Sequence, residues 1–408
     1  MSTNIGFSSA EVRPRAHVSG VQVTAPAIRC AAAAVSIGKF SFVFSLCTVV
    51  IFFGLEGLSS SLLALRKIHE NIVRGRAYPY HTQFDKDLGW ANTPNYYEKD
   101  YFNPGVYVEI NSQGFRSSRP FDARVPPNKL RIVCVGDSMT FGTGVDNDHT
   151  WCQQLASIDH RFEAINAGVP GYGVDQMYLH YLRDAAWLDH DVMILAVIGD
   201  DFRRMRLRTF SEYAKPTLAL HNGQLLVENV PSPETSRFGC VARRDHLIDP
   251  VLQLSSFRLE DWAFHKFLPF RKSEVPTPAE ENQVAAKVIE ALQAVNRRKN
   301  SVLMLVYLPT EEELVSNDSP QTWCHFLHDE AARAGISFVD FSGAAEQLPA
   351  EEVKKLYIAP GEQSQVYPSA RGHFTNYGNA YVARALHSLL VTIPEVSARV
   401  RAKRKRDN

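Results

Sequence analysis

The feature that most restricts the fold of this chain is an alternation of apolar runs with helical stretches, which begins at residue 131. The apolar runs are RIVCVG, FEAINAG, DVMILAVIG, SVLMLVYLP and ISFVDF, and the helical stretches between them are 150–158, 174–187, 278–298 and 324–334. Strands that alternate with helices pair in parallel and are covered by those helices. We therefore predict an α/β domain with a parallel sheet over residues 131–392.

Composition and charge exclude several classes of protein. The chain has 408 residues, 45% of them hydrophobic, with 44 basic and 44 acidic side chains and a formal net charge of zero. This balance gives no support to a nucleic-acid partner. None of the six cysteines forms a C-x-x-C pair, so we expect neither a zinc site nor a redox motif.

An uncharged apolar segment near the N-terminus predicts a membrane anchor. Residues 40–55 read FSFVFSLCTVVIFFGL, and the apolar character continues to Leu65. A bilayer span needs about 20 residues, so we predict a transmembrane helix within 36–65. The alternatives are a cleaved signal peptide and a buried helix. The long preceding segment and the absence of a clear cleavage site favour an uncleaved anchor. Basic residues on both sides leave the orientation open.

The remaining segments differ from the α/β region in composition. Residues 1–35 are polar and Ala-rich and are expected to be disordered. Residues 68–130 predict a β-rich extension that packs on the main domain. Residues 203–277 interrupt the alternation and are expected to form an insertion, with a hairpin turn at Asn222-Gly223. Residues 393–408 are expected to form a disordered basic tail.

Chemically useful residues follow the ends of the predicted strands. The first strand ends in Gly136-Asp137-Ser138, the second in NAGVPGYG, the third in IGDDF, and His373 precedes a predicted helix near the C-terminus. Parallel strands bring their carboxyl ends to one edge, so these segments can form one site. A nucleophilic hydroxyl needs a base and donors for an oxyanion. Ser138, His373 and glycine amides can supply them. The alternative for Ser138 is a helix cap.

These four segments, in this order, resemble the nucleophile, glycine, Gly-Asn-Asp and histidine blocks of the SGNH, or GDSL-type, hydrolase family. Residues 80–118 also resemble the region that precedes this domain in membrane-anchored bacterial members. The resemblance implies a flavodoxin-like three-layer α/β/α fold with Ser138 as nucleophile and His373 as base. It places the oxyanion hole at the Ser138 amide, Gly171 and position 200. It implies no metal and no organic cofactor.

Two positions depart from the family pattern. Asp200 stands where the family has asparagine, and an ionised carboxylate accepts hydrogen bonds but cannot donate them. Ala370 and Arg371 occupy the positions where the family usually has the aspartate that orients the histidine. A Ser-His dyad helped by a backbone carbonyl, or a distant acid, remains open.

These observations lead to two hypotheses. The first is a single-pass membrane esterase or acyl transferase acting on an ester-bearing small molecule or polysaccharide. Its domain faces the periplasm, and its substrates are O-acetyl groups of cell-envelope polysaccharide. The second is a catalytically weak or inactive glycan-binding or scaffold protein of the same fold. The basic run RRMRLR at 203–208 either binds an anionic substrate or forms a solvated charged face.

Overall fold

The computed structural model describes residues 25–73, 81–210, 213–233, 278–315, 322–359 and 370–404. The first elements in chain order are α1 (Ala25–Val73), β1 (Thr82–Asp85), β2 (Gly89–Asn92), β3 (Tyr96–Asn103), β4 (Val106–Ile110), β5 (Leu130–Gly136), α2 (Ser138–Phe141), α3 (Trp151–Ile158), β6 (Phe162–Gly168), α4 (Val174–His180), β7 (Val192–Val197) and α5 (Gly199–Met205). They are followed by β8 (Thr209–Phe210), β9 (Tyr213–Ala214), β10 (Thr217–His221), β11 (Gln224–Glu228), α6 (Pro278–Arg298), β12 (Val302–Tyr307), α7 (Glu311–Val315), α8 (Thr322–Ala334), β13 (Ser337–Asp340), α9 (Phe341–Glu346), α10 (Ala350–Leu356), α11 (Asn376–Leu390) and α12 (Pro394–Arg404).

The five apolar runs form one five-stranded sheet in the order β13-β12-β7-β5-β6. Every pairing in this sheet is parallel. The strand that carries the Gly-Asp-Ser segment, β5, is hydrogen-bonded on both sides, by β6 and by β7. The predicted parallel sheet is therefore confirmed.

Helices cover both faces of this sheet. Alternate side chains of a strand point to opposite faces, so Val133 and Val135 of β5 belong to one core while Ile132 and Cys134 belong to the other. The first core is closed by α4, α6 and α8, and the second by α3, α10, α11 and α12. The result is the predicted three-layer α/β/α arrangement.

Two small hairpins precede the sheet. β1 pairs with β2 and β3 pairs with β4, all antiparallel. Trp90 of β2 is buried in the core beside Tyr172, whereas Phe102 of β3 packs against Phe141 of α2. Both hairpins thus contact segments that follow strands of the central sheet.

The predicted turn at Asn222-Gly223 joins β10 and β11. Both residues have positive φ, 50° for Asn222 and 76° for Gly223, as a two-residue hairpin turn of this kind requires. The larger part of the expected insertion, residues 234–277, lies outside the described residues.

The apolar N-terminal segment is a single long helix. Residues Phe40–Leu63 have a mean hydropathy of 2.0, and their most apolar window has no buried residue, so this stretch is a candidate membrane span. The helix begins at Ala25, within the segment expected to be disordered; the alanines before residue 35 are strong helix formers and extend it. Residues 1–24 lie outside the described residues.

The C-terminal basic segment differs from its expectation. Residues 394–404 form α12, whose Val396 and Val400 are buried against the second core. Arg399 also pairs with Asp191 at 3.1 Å. The segment is rich in charged residues, but Val396 and Val400 are spaced i, i+4 and therefore place one apolar face of the helix on the domain. The expected disordered tail is therefore wrong for this stretch.

Candidate active site

Ser138 lies at the carboxyl end of β5, at the first position of the short helix α2. Gly136 permits the turn, because a Cβ there would lie 2.6 Å from the backbone oxygen of Ala196. Asp137 caps the helix, and its Oδ1 accepts a hydrogen bond from the Met139 amide at 2.8 Å. The cap is therefore the neighbouring aspartate rather than Ser138, whose hydroxyl remains available for other contacts.

His373 meets Ser138 from the other end of the chain. Its Nε2 lies 2.8 Å from Ser138 Oγ. The histidine sits between Gly372, which has φ of 78°, and the start of α11, where Thr375 caps the helix through the Gly378 amide. The His373 carbonyl accepts a hydrogen bond from the Ile358 amide at 2.8 Å. These backbone contacts fix the histidine beside the serine.

The second ring nitrogen of His373 contacts a backbone oxygen. His373 Nδ1 lies 3.1 Å from the carbonyl of Ala370, which occupies one of the positions where an aspartate was expected. A carbonyl accepts only from a protonated Nδ1, so this contact leaves Nε2 free to take the serine proton. Burial lowers the pKa of His373, and the charge of Asp137 and the Ala370 hydrogen bond partly offset that effect. The imidazole is therefore neutral at pH 7, as a base must be.

Asp200 lies in the same cleft and is ion-paired. Its Oδ1 accepts from Arg203 Nε at 2.6 Å, and its Oδ2 lies 3.0 Å from Arg204 Nη2. Although partial burial opposes ionisation, the Arg203 hydrogen bond and the Arg204 charge lower the pKa of Asp200. In this geometry Asp200 is a carboxylate and donates no hydrogen bond to an oxyanion.

Arg204 is the residue at which the acidic groups of the site converge. Its Nη1 donates to Asp137 Oδ2 at 3.1 Å and to Asp201 Oδ1 at 2.8 Å, and its Nε donates to Asp200 Oδ2 at 3.1 Å. Burial disfavours the cation, but the surrounding carboxylates raise the pKa of Arg204 above its ordinary value. The RRMRLR run is therefore not simply a solvated charged face, because its second arginine faces inward and pairs with carboxylates.

The Ser138–His373 pair opens onto a cleft of about 710 Å³, within the range of ordinary ligand sites. Most of its lining residues are polar or charged, and the lining comprises Ser138, Met139, Ile198, Asp200, Arg204, Thr310, Glu311, Glu312, Glu313, Arg371, Gly372 and His373. Three of the four predicted site residues thus share one cleft, and Gly171 is not among the lining residues.

Gly171 lies in the loop that follows β6, and the β-rich extension holds that loop. Its φ is 80°, and a Cβ there would lie 2.8 Å from the Phe210 ring. Trp90 Nε1 donates to the Pro170 carbonyl at 3.0 Å, and the Tyr172 hydroxyl donates to the Trp90 carbonyl at 2.6 Å. Glycine is needed here because both the backbone conformation and the space exclude a side chain.

A second buried arginine, which the sequence did not single out, holds the far end of α2. Arg116 donates to the carbonyl oxygens of Phe141, Gly142 and Val145 at 2.5–2.6 Å, and to Asn147 Oδ1 at 3.0 Å. No carboxylate within the described ranges is hydrogen-bonded to it. Nothing in its local sequence, NSQGFRSS, distinguishes it from a surface arginine.

Arg204 did carry a sequence signal. It follows Asp200 by four residues, a spacing that places the two side chains on one helix face.

As for metals, the part of the chain that the structure describes contains no cluster of three or more His, Cys, Asp or Glu side chains that could hold an ion.

The chain is similar to several solved structures. Similar solved structures include a G-D-S-L family protein from Desulfitobacterium hafniense, with 14% identity, a TM-score of 0.36 and coverage of 64% of this chain and 100% of that one. An acetyl xylan esterase has 12% identity, a TM-score of 0.37 and the same coverages. An acetyl-xylooligosaccharide esterase from Geobacillus has 13% identity and a TM-score of 0.34, covering 65% of this chain and 94% of that one.

No curated protein matches the chain at a significant level. The profile of the GDSL-like lipase/acylhydrolase family, by contrast, matches residues 134–374, which is more than half of the sequence and extends from β5 to the residue after His373. The chain therefore belongs to the GDSL-like lipase/acylhydrolase family.

Proposed function

We propose that this protein is a membrane-anchored serine esterase or acyl transferase that acts through a Ser138–His373 dyad. The observation that carries the proposal is the 2.8 Å contact between Ser138 Oγ and His373 Nε2 at the mouth of an open cleft. Nucleophile and base are within the distance needed for proton transfer.

The chemistry proceeds in two steps. Ser138 Oγ attacks the ester carbonyl while its proton passes to His373 Nε2, and the oxyanion is stabilised by the Ser138 and Gly171 amides. The tetrahedral intermediate then expels the alcohol, which takes the proton from His373, and an acyl-serine remains. Water, or a sugar hydroxyl, then attacks the acyl carbonyl while its proton passes to His373 Nε2. The bond between the acyl carbon and Ser138 Oγ breaks, and Ser138 Oγ takes that proton back. The Ala370 carbonyl takes the orienting part that an aspartate plays in a triad.

The polar lining of the cleft supports a short acyl group on a polar alcohol. Charged side chains at the mouth include Asp200, Glu311 and Arg371, and such a surface fits a hydroxyl-rich partner better than a long acyl chain. Together with the candidate span at Phe40–Leu63, this favours O-acetyl groups of cell-envelope polysaccharide as substrates, with the domain outside the cytoplasm.

The second candidate is a glycan-binding or scaffold protein that has lost catalysis. The carboxylate at Asp200 and the missing acid before His373 favour it. The preserved contact between serine and histidine favours the enzyme, because a binding protein has no chemical need for that pair.

Hydrolysis of p-nitrophenyl acetate by the full chain in detergent distinguishes the two. We expect hydrolysis by the wild type and a loss of about 10³-fold or more in Ser138→Ala, since removal of a nucleophile abolishes the acyl-enzyme route. Ser157→Ala, at an exposed serine on α3, is the matched control. Full activity in Ser138→Ala would exclude Ser138 as nucleophile, and an inactive wild type would favour the binding protein.

A further inference from the structure

The substitution of an acid at position 200 puts negative charge where an oxyanion must form. Asp200 is ionised, its side chain is about one-third exposed to the cleft, and Asp137 adjoins the nucleophile directly. Two carboxylates near a developing negative charge oppose it unless a cation compensates them.

Arg204 is that cation, and its placement is specific. The guanidinium reaches Asp200 through Nε and Nη2, while Nη1 reaches Asp137 and Asp201. It is buried, and its own backbone oxygen accepts from the buried ammonium of Lys215 at 3.3 Å. Both ends of the residue are therefore fixed, which allows the charge to act at one defined place.

The serine hydroxyl has two possible acceptors. His373 Nε2 lies at 2.8 Å and Asp137 Oδ2 at 3.2 Å from Ser138 Oγ. A proton directed at the aspartate is unavailable to the base. Because Arg204 Nη1 donates to the same Oδ2 at 3.1 Å, it weakens that oxygen as an acceptor and leaves His373 as the better one.

We propose that Arg204 is a positioning residue that compensates the acidic groups around Ser138, directing the serine proton to His373 and permitting an oxyanion beside Asp200. This inference rests on the proposed serine-esterase function. It makes Asp200 and Arg204 a matched pair, in which the arginine offsets the loss of the family asparagine.

The charges around His373 predict in which direction loss of Arg204 shifts the pH dependence of activity. The charge of Arg204 lowers the pKa of His373, whereas that of Asp137 raises it, and burial is the largest cause of the net lowering. Activity that depends on neutral His373 rises with pH through that pKa, so removal of Arg204 moves the rise to higher pH. Among the described residues, the charged groups that line the cleft with His373 are Asp200, Arg204, Arg371, Glu311, Glu312 and Glu313, and the buried Asp137 also acts on the ring through its charge.

Arg203 provides the matched control. It lies on the same helix and pairs with the same Asp200, at 2.6 Å, but it is half exposed. Among the described residues, Arg203 pairs with Asp200 and not with Asp137, whereas Arg204 contacts both. Arg203→Gln therefore removes the same charge without freeing Asp137, and we expect the pH of the rise to stay at its wild-type value.

The test is the pH dependence of kcat/KM for p-nitrophenyl acetate, with labelling of Ser138 by a fluorophosphonate as a second readout. The full-length variants are Arg204→Gln, Arg204→Lys, Arg203→Gln, Asp200→Asn and Arg204→Gln/Asp200→Asn. We expect Arg204→Gln to move the rise in kcat/KM to higher pH. Arg204→Lys should leave that rise closer to its wild-type pH. We expect Asp200→Asn to increase the rate about tenfold more in the Arg204→Gln background than in the wild type.

The outcomes separate this inference from the proposed function. Wild-type labelling that is lost in Ser138→Ala supports the function, whatever Arg204 does. An unmoved rise in folded Arg204→Gln, or equal gains from Asp200→Asn in both backgrounds, overturns the inference alone. A wild type that neither hydrolyses nor labels overturns both. Should circular dichroism find Arg204→Gln unfolded, the same cycle in Arg204→Lys decides, since an ammonium cannot match the forked contacts of a guanidinium.

Discussion

Two buried arginines hold the two ends of the helix that carries the proposed nucleophile, Ser138, and their partners are opposite in kind. Arg204, at the Ser138 end, is surrounded by the carboxylates of Asp137, Asp200 and Asp201. Arg116, at the other end, is surrounded by carbonyl oxygens and by the ring of Phe141, 4.5 Å from its guanidinium carbon.

The different partners of Arg204 and Arg116 indicate different roles for the two guanidinium charges. Carboxylates raise the pKa of Arg204, so its charge is balanced and it can adjust the electrostatics of neighbouring groups. Burial lowers the pKa of Arg116, whose hydrogen bonds go to neutral acceptors, and its role is to satisfy the backbone at the end of α2. We therefore expect loss of Arg204 to change chemistry and loss of Arg116 to change stability.

The largest effect should come from Arg116→Met. It leaves the carbonyls of Phe141, Gly142 and Val145 without their guanidinium donor, and an unsatisfied buried group costs about 1–3 kcal/mol. We expect the free energy of unfolding to fall by about 3 kcal/mol or more, measured by urea titration, with the pH of the activity rise unmoved in the remaining folded protein. If Arg116→Met shifted the pH of the activity rise and left the free energy of unfolding unchanged, the two arginines would not differ in role as proposed.

Asp137→Asn should have an effect of intermediate size. It should shift the pH dependence of kcat/KM in the direction opposite to Arg204→Gln. The amide oxygen retains the cap on the Met139 amide, but the charge that raises the pKa of His373 is removed. We expect the rise in kcat/KM to move to lower pH by less than about one unit, equivalent to about 1.4 kcal/mol. A shift to higher pH would mean that Asp137 does not act on His373 through its charge.

The smallest effect should come from Arg119→Met, three residues from Arg116 on the same extension. Arg119 pairs with Glu163 at 2.8 Å but is 61% exposed, and Glu163 keeps a second partner in the buried Arg131. We expect a loss of less than about 1 kcal/mol in the same urea titration, the range of an exposed ion pair. A loss as large as that of Arg116→Met would show that burial does not determine how much each arginine contributes to the free energy of unfolding.

The central sheet could be predicted from sequence because its strands are apolar on both faces and separated by amphipathic helices. Ser138 could be proposed because it follows a strand that ends in glycine, and His373 because it directly precedes a predicted helix. The C-terminal helix escaped prediction because its charges outnumber Val396 and Val400, which are buried against the second core.

The long-range partners of the two arginines could not be predicted. Arg116 acts through backbone oxygens more than twenty residues away, and a carbonyl acceptor leaves no trace in the sequence. Arg204 has two partners at helical spacing, Asp200 and Asp201, but its contact with Asp137 spans 67 residues. Long-range pairing of this kind depends on the order of strands in the sheet, which no local pattern encodes.

The distance along the chain between Ser138 and His373 has a consequence for biogenesis. The two residues are 235 positions apart, and His373 is held by backbone hydrogen bonds with Ile358 and Ala370. A ribosome delivers the proposed nucleophile long before the proposed base, and contacts of such separation form late in folding. Under the proposed mechanism the nascent chain therefore carries an inert serine through synthesis, and activity begins only when α10 and α11 join the domain.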